Sequence, residues 1–330
     1  MAVKRELVID FLRFPLTLLV VFIHVHYISW GNKLCDNIHE FWINGICSIA
    51  VPTFFFISGY LFFTSPQKFS FDVYLSKLKR RINTLLVPYL LWNLIALIVI
   101  IIPHFHNFDF TVNNIIAVFV DCRYSFLHTE NSSPIDYPLW YIRDLMVCCI
   151  LSPLFYVTKK VKFLIPLFFG VLWVIGIQLP VGMSSIAICF FTLGGIIRIY
   201  NIPLKNKAVM WLAVSLFCIL IYILTGMNKI FYKVVTPIIV LSLLPVGERF
   251  LSHKICVRCY NLGTLSFVIY AMHAIIIKRI FNVLMELNLC QGEIYLLTYI
   301  ITILLCLAFD YIVRTTMPIV YNALTGRRIK

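Results

Sequence analysis

The stretch RELVIDFLRFPLTLLVVFIHVHYISW, residues 5–30, sets Arg13 and His24 eleven positions apart with mostly bulky apolar residues between them. At about 100° per residue, eleven steps is about 1100°, some 20° past three full turns, so both fall on nearly one helical stripe, roughly 16 Å apart. Ionisable groups inside a span are expensive and usually face the protein interior or a wet cavity. Two on one stripe point to one shared cavity. A neutral imidazole is the usual base near neutral pH, and an alcohol is a poor nucleophile until a base takes its proton. A guanidinium beside it can hold an anion or stabilise developing negative charge. Asp10 and Glu6, three and seven residues before Arg13, could orient the guanidinium. His26 is rotated by about 200° and is expected to face elsewhere. A structural reading stands beside this one: Arg13 reaches for headgroups and His24 bonds a neighbouring helix.

Four further stretches carry polar groups among apolar ones. In VPTFFFISGYLFF, 51–63, Ser58 and Gly59 interrupt an aromatic-rich run. Small residues there serve close helix packing, or Ser58, Gly59 and Tyr60 line the cavity. In KLKRRINTLLVPYLLW, 77–92, Arg80 and Arg81 belong to a cationic cluster before a span. The cluster is an ordinary membrane anchor or a site for a phosphate-rich ligand. In PIDYPLWYIRDL, 134–145, Trp140 and Arg143 lie one turn apart at the edge of a span, as an interfacial belt or as part of a site. In LSFVIYAMHAIIIKR, 265–279, Tyr270 and His273 are three residues apart.

The elements that must position these residues are set by composition. The 330 residues are 61% hydrophobic and 13% charged, with mean hydropathy +0.93. A soluble chain of this length needs far more polar surface. A span takes roughly 20 mainly apolar residues, and about ten such stretches occur, at 7–30, 41–64, 84–103, 139–157, 163–178, 184–199, 208–224, 230–247, 262–284 and 292–313. They are too long and uniform for barrel strands. The expected fold is an all-α integral membrane protein, a single membrane domain over residues 1–330 with no separate soluble domain. FSFDVYLSKLKRRINTLL is amphipathic and could feed directly into the third span. NNIIAVFVD could form a short helix on the membrane surface.

Cationic clusters such as 77–81 and 159–162 fall on the same side as both chain ends, while Lys33, Arg123, Lys229, Lys233, Lys278 and Arg279 fall on the other. The positive-inside rule then makes both termini cytoplasmic. The net charge of +14 is split into short clusters beside spans, which serves membrane anchoring and argues against a nucleic-acid partner. No cleavable signal sequence is evident. The eleven cysteines include one CxxC, Cys256–Cys259, with no second pair at metal spacing, so neither a metal nor a bound cofactor is expected.

Taken in order, these stretches resemble the membrane-bound acyltransferase 3 family, the integral-membrane O-acyltransferases of bacterial surface glycans. Arg13, ten residues, then His24 is similar to the family's first-helix pattern of a basic residue, ten residues, then His. FFFISGYLF resembles its second-helix motif, RRINTLLVPYLLWN its loop into the third helix, PLWYIRDL its Trp-containing fourth-helix motif, and YAMH its late Tyr/His motif. One departure occurs. The family often carries Arg-x-x-Arg before the Pro-Tyr; Arg81 matches the first, and Thr84 stands at the second. Lys77 and Arg80 keep similar spacing one turn earlier. The resemblance implies a stand-alone member without the extra hydrolase-like domain of some relatives.

It further implies transfer of an acyl group, usually acetyl, from a cytoplasmic acyl-coenzyme A co-substrate to a sugar hydroxyl of an envelope glycan or lipid-linked saccharide, in the bacterial inner membrane. His24 would be the base or an acyl relay. Arg13 would hold the donor or stabilise the thioester oxygen, and Arg81 with Arg80 would hold phosphates. Asp10, Ser58, Tyr60, Trp140, Arg143, Tyr270 and His273 would line the cavity. A transporter or flippase for a polar lipid or glycan is the competing reading, although transporters more often show internal repeats and broken midplane helices.

Overall fold

Lipid offers no partner to backbone N–H and C=O groups, so an apolar chain spans it by making those bonds inside each segment. The computed structural model answers that demand with helices; no strand occurs among the described residues. These are residues 2–63, 70–101, 111–125, 127, 129–130, 132–157, 162–203, 207–252, 254–255 and 260–326. The Cys256–Cys259 pair, residues 104–110, Lys159, Lys160 and the side chain of Glu6 lie outside them.

The helices are α1 (Ala2–Ile23), α2 (Lys33–Phe62), α3 (Phe71–Val99), α4 (Val112–Val120), α5 (Trp140–Val157), α6 (Leu164–Ile175), α7 (Ser185–Ile199), α8 (Ala208–Leu224), α9 (Lys229–Phe250), α10 (Tyr260–Met285), α11 (Gln291–Thr316) and α12 (Pro318–Thr325). Each of the ten apolar stretches holds one of them. Among the described residues, six helices are long and apolar enough to cross a membrane: those at 33–62, 71–99, 137–155, 229–250, 265–285 and 291–316. The protein is thus a multi-pass membrane protein by length and composition. Helices α6, α7 and α8 are shorter apolar helices.

Several boundaries differ from the sequence reading. Helix α2 begins eight residues early because Asn32 caps it, accepting from the N–H groups of Leu34 and Cys35; π and 3-10 turns then join this amphipathic start to the apolar part. The amphipathic segment Phe71–Arg81 does run on into the third apolar helix, through a π turn at Ile82–Leu86. Helix α1 stops at Ile23, although the apolar run continues to residue 30. Beyond it, Tyr27 and Ser29 donate to the Asp36 carboxylate, and the Tyr27 ring stacks on His39 at 3.6 Å. Those partners hold residues 24–31 out of the helix.

Packing draws α1, α2, α5, α7 and α10 around one core. Helices α2 and α7 touch backbone to backbone. A Cβ on Gly59 would lie 1.9 Å from the Phe191 carbonyl oxygen, and one on Gly194 would lie 2.0 Å from that of Phe56. Close packing is therefore what Gly59 does. Phe55, Phe56, Phe63, Phe190 and Phe191 are buried around the crossing. At the end of the bundle, α12 is tied to α3 and α11: Trp92 Nε1 donates to the Leu324 carbonyl at 3.1 Å, and the Tyr321 hydroxyl to Asp310 at 2.6 Å. Gly326 then turns left-handed (φ +68°) directly against Thr84, where a Cβ would meet the Thr84 Cα at 2.7 Å.

Candidate active site

Two cavities open at opposite ends of the same helices. The first, about 440 Å³, lies between the N-terminal halves of α1, α3 and α10 and is lined by Asp10, Arg13, Thr17, Ser58, Arg81, Thr84, Tyr141, Tyr270 and Gly326. The second, about 740 Å³, lies past the C-terminal end of α1 and between the C-terminal halves of α3 and α10. Its lining includes His24, His26, Asp136, Tyr137, Lys278 and Arg279. Arg13 and His24 thus do not share one cavity. The ten residues between them carry α1 from one chamber to the other.

In the first chamber, Arg13 Nη1 donates to Asp10 Oδ1 at 2.6 Å, so Asp10 orients the guanidinium from the preceding turn. Thr17 returns its hydroxyl proton to the Arg13 carbonyl at 2.9 Å. Ser58 and Tyr141 share a hydrogen bond of 2.8 Å across the chamber wall. Of the cationic cluster, only Arg81 lines this chamber; its guanidinium sits 5.8 Å from the Phe62 ring centre. Arg80 is exposed on α3 and lines none of these cavities. Lys77 is committed elsewhere, donating to the Phe62 carbonyl at 2.7 Å. Thr84, three residues after Arg81, opens on the chamber beside Gly326.

A single turn of α10 separates the two chambers. Tyr270 faces the first and donates its hydroxyl proton to the Pro138 carbonyl. His273, one turn on, is fully buried and stacks against His24 with ring centres 5.3 Å apart and planes at 27°. Its Nδ1 bonds the Ile269 carbonyl at 3.0 Å. A nitrogen bonded to a carbonyl carries the proton, so Nε2 of a neutral ring presents a lone pair. That Nε2 has no hydrogen-bond partner among the described residues. The edge of Tyr137 closes on His24 at 4.8 Å.

His26 differs from expectation. It lines the His24 chamber, exposed, with its ring 4.9 Å from Phe281. The 200° offset held only for a continuing helix, and α1 has already ended. Trp140 and Arg143 also fall elsewhere. They line a third cavity of about 280 Å³ with Arg123, Trp173 and Lys233. There Arg143 bonds Asp144 (2.9 Å) and the Val120 carbonyl (2.7 Å), clamping the 120–132 loop onto α5. In that loop Asp121 pairs with Arg123 at 2.7 Å and accepts from Ser132 at 2.8 Å. Burial pushes the Asp121 carboxyl up, but these hydrogen bonds outweigh it and hold it below the ordinary carboxylate value. Tyr60 lines none of the three cavities; it accepts from Arg198 Nη1 at 3.1 Å.

Two residues of the quoted 134–145 stretch matter more than the sequence reading allowed. Tyr141 lines the Arg13 chamber, and Asp136 lines the His24 chamber. Asp136 is 2% exposed, and neither carboxyl oxygen has a hydrogen-bond partner among the described residues. Among the described residues, no group of three His, Cys, Asp or Glu side chains could hold a metal ion.

No solved structure matches the chain. A curated relative, the succinoglycan biosynthesis protein ExoH of Rhizobium meliloti (strain 1021), is 31% identical over 157 residues, which is 44% of this chain and 41% of the relative. The match thus spans less than half of that protein's length. The model of the acyltransferase domain family matches residues 7–313, nearly the whole bundle and both chambers. The chain belongs to the acyltransferase 3 family.

Proposed function

We propose that the protein is a membrane O-acyltransferase that moves an acyl group, acetyl by preference, from cytoplasmic acyl-coenzyme A to a sugar hydroxyl of an envelope glycan or lipid-linked saccharide. The observation that carries this reading is the pair of chambers on either side of one turn of α10, Tyr270 lining the one with Arg13 and Arg81 and Ala274 the one with His24. In this reading all ten apolar helices cross a bacterial inner membrane, with both termini cytoplasmic. The Arg13 chamber takes the donor from the cytoplasm. Arg81 holds its phosphates, since a guanidinium suits them with fork-shaped hydrogen bonds. Arg80, pointing to solvent, contributes long-range attraction.

His24 takes the proton of the acceptor hydroxyl. The hydroxyl oxygen bonds to the thioester carbonyl carbon, the C–S bond breaks, and the leaving thiolate recovers the proton from the imidazolium. Arg13, held by Asp10, holds the donor in its own chamber. The stacked His273 ring and the Tyr137 edge keep the His24 ring in place. Membership of the acyltransferase 3 family supports acyl transfer, and the succinoglycan relative supports a polysaccharide acceptor.

Mass spectrometry of surface glycans from cells with and without the protein tests the reading. An acyl increment present only with the protein is the expected result. Unchanged glycan masses, together with altered amounts of glycan at the surface, would replace it with the transporter reading, since chambers at opposite ends of a bundle also suit transport.

A further inference from the structure

We propose that the His24 chamber is a binding site for an acidic saccharide, in which Asp136 accepts hydrogen bonds from the sugar's hydroxyls and Lys278 and Arg279 hold its negative charge. The proposal rests on the acyl-transfer reading above and specifies the acceptor of that site.

Asp136 has no structural occupation of the ordinary kind. An Asp before a helix normally caps it, accepting from the N–H groups of the first turn. Asp136 stands at the cap position of the Tyr137–Leu139 turn, yet its side chain makes no capping bond. Its backbone is occupied, the N–H by Asn93 Oδ1 at 3.1 Å and the carbonyl by the Leu139 N–H at 2.9 Å. The carboxyl is left unbonded at 2% exposure. A buried carboxyl without partners is costly to stability, and such groups cluster where a ligand completes them. Two carboxyl oxygens are well suited to neighbouring hydroxyls of one sugar ring. The chamber, at about 740 Å³, is within the size range of small-molecule sites.

The charge follows from a second, independent observation. In the ten-span reading, the side of the membrane opposite the chain ends is the one poor in Lys and Arg. Lys278 and Arg279 are adjacent cations on that side, and both line this chamber. Both are exposed at the end of α10, and Arg279 spends one donor on the Val99 carbonyl at 2.8 Å. No ion pair joins either to a carboxylate among the described residues. Two cations at the mouth, beside a carboxyl in the wall, favour a sugar bearing a carboxylate or a phosphate over a neutral one.

The test measures binding, not transfer, so it is separable from the acyltransferase reading. The full-length protein in zwitterionic-lipid nanodiscs, without acyl donor, is titrated calorimetrically with three probes. These are a glucuronate-containing tetrasaccharide, the same compound with its carboxyl reduced to the alcohol, and the reduced compound carrying a terminal phosphate. The glucuronate form should bind about tenfold tighter than the reduced form, the size expected of two exposed charge contacts. Lys278→Ala with Arg279→Ala should remove that difference and leave the reduced form's affinity unchanged, and Lys278→Arg with Arg279→Lys should retain it. Asp136→Asn should weaken the glucuronate and reduced forms by the same factor. If the phosphate form alone binds tightly, the anionic site stands and the charge is a phosphate's. Equal affinity of both charged forms and the reduced form, or no effect of the double alanine variant, overturns the proposal. Absence of all saccharide binding in a protein that still transfers acyl groups to surface glycan in cells overturns it too, and leaves the acyltransferase reading intact.

Discussion

The imidazole rings of His24 and His273 stack 5.3 Å apart, and Tyr270, one turn before His273 with its ring centre 6.4 Å from that imidazole, bonds the Pro138 carbonyl. A single turn of α10 therefore touches both chambers. The donor and acceptor of a group transfer need a short separation and a fixed geometry, and this turn supplies lining to each chamber, Tyr270 to one and Ala274 to the other.

His24→Ala should remove detectable transfer, since a positioned base contributes roughly 10²–10⁴-fold. Its abundance in membranes should be unchanged, because the lost ring faces a chamber. His26→Ala should keep most activity: the residue lines the same chamber but is exposed, with its ring against that of Phe281. Acceptor acylation in cells at matched protein levels decides. Full activity in a folded His24→Ala variant removes the base from the mechanism.

Arg81→Ala should raise the KM for acyl-coenzyme A by roughly 10–100-fold, the cost of a lost charge-assisted hydrogen bond, with a smaller effect on kcat. Arg80→Ala should change KM little, because Arg80 lies outside the chamber that Arg81 lines. Steady-state kinetics of purified protein separate the two. Equal effects of both substitutions would make the cluster a field or an anchor and not a site.

Gly59→Ala and Gly194→Ala should each destabilise the fold. The new Cβ would stand 1.9 or 2.0 Å from a carbonyl oxygen of the facing helix, and backbone must move to admit it. Overpacking typically costs about 1–3 kcal/mol, sometimes more. Thermal unfolding in detergent should show a lowered midpoint for both, and a smaller drop for Ala at Gly31, which has open space around it but a φ of +70° that costs an alanine about 1 kcal/mol of backbone strain.

The Asp121–Arg123 pair should make the 120–132 loop acid-sensitive. The folded carboxyl titrates below its ordinary value of 3.8, so the pair's stabilisation is complete above that value and is lost as pH falls through the folded one. With Arg123 partly exposed, the contribution is about 1 kcal/mol or less. Protease cleavage within this loop should rise below about pH 4 in the parent and be raised at neutral pH in Asp121→Asn. An Asp121→Asn loop as resistant as the parent's at neutral pH would show that the Arg143 clamp alone holds it.

A reporter fused after Lys330 should be active only in the cytoplasm. Activity on the other side would reverse the assignment of both chambers, with Arg81 then facing away from the coenzyme A pool.

Much of this protein follows from its sequence alone. Long apolar runs can satisfy their backbones in lipid only as helices, so the helical membrane fold and the approximate place of each helix were legible without coordinates. So were Arg13 and His24, because a charge and an imidazole in an apolar run are conspicuous by their cost. The division into two chambers was not. It depends on where α1 ends, and no Gly or Pro marks Ile23; the helix gives way because Tyr27 and Ser29 find Asp36 across a loop. That contact joins residues only seven and nine apart, but it belongs to no helical period, and it brings His26 into the chamber that helical periodicity would deny it. The fourth motif shows the same limit. Trp140 and Arg143 stand out by type, yet the packing of α5 turns them to a third cavity and leaves Tyr141 and Asp136 to face the first two. Local pattern marks which residues are unusual in lipid. Which of them meet is decided by the rotation of each helix against its neighbours, and that rotation is set by contacts far apart in the chain, such as Gly59 against Phe191 and Gly326 against Thr84.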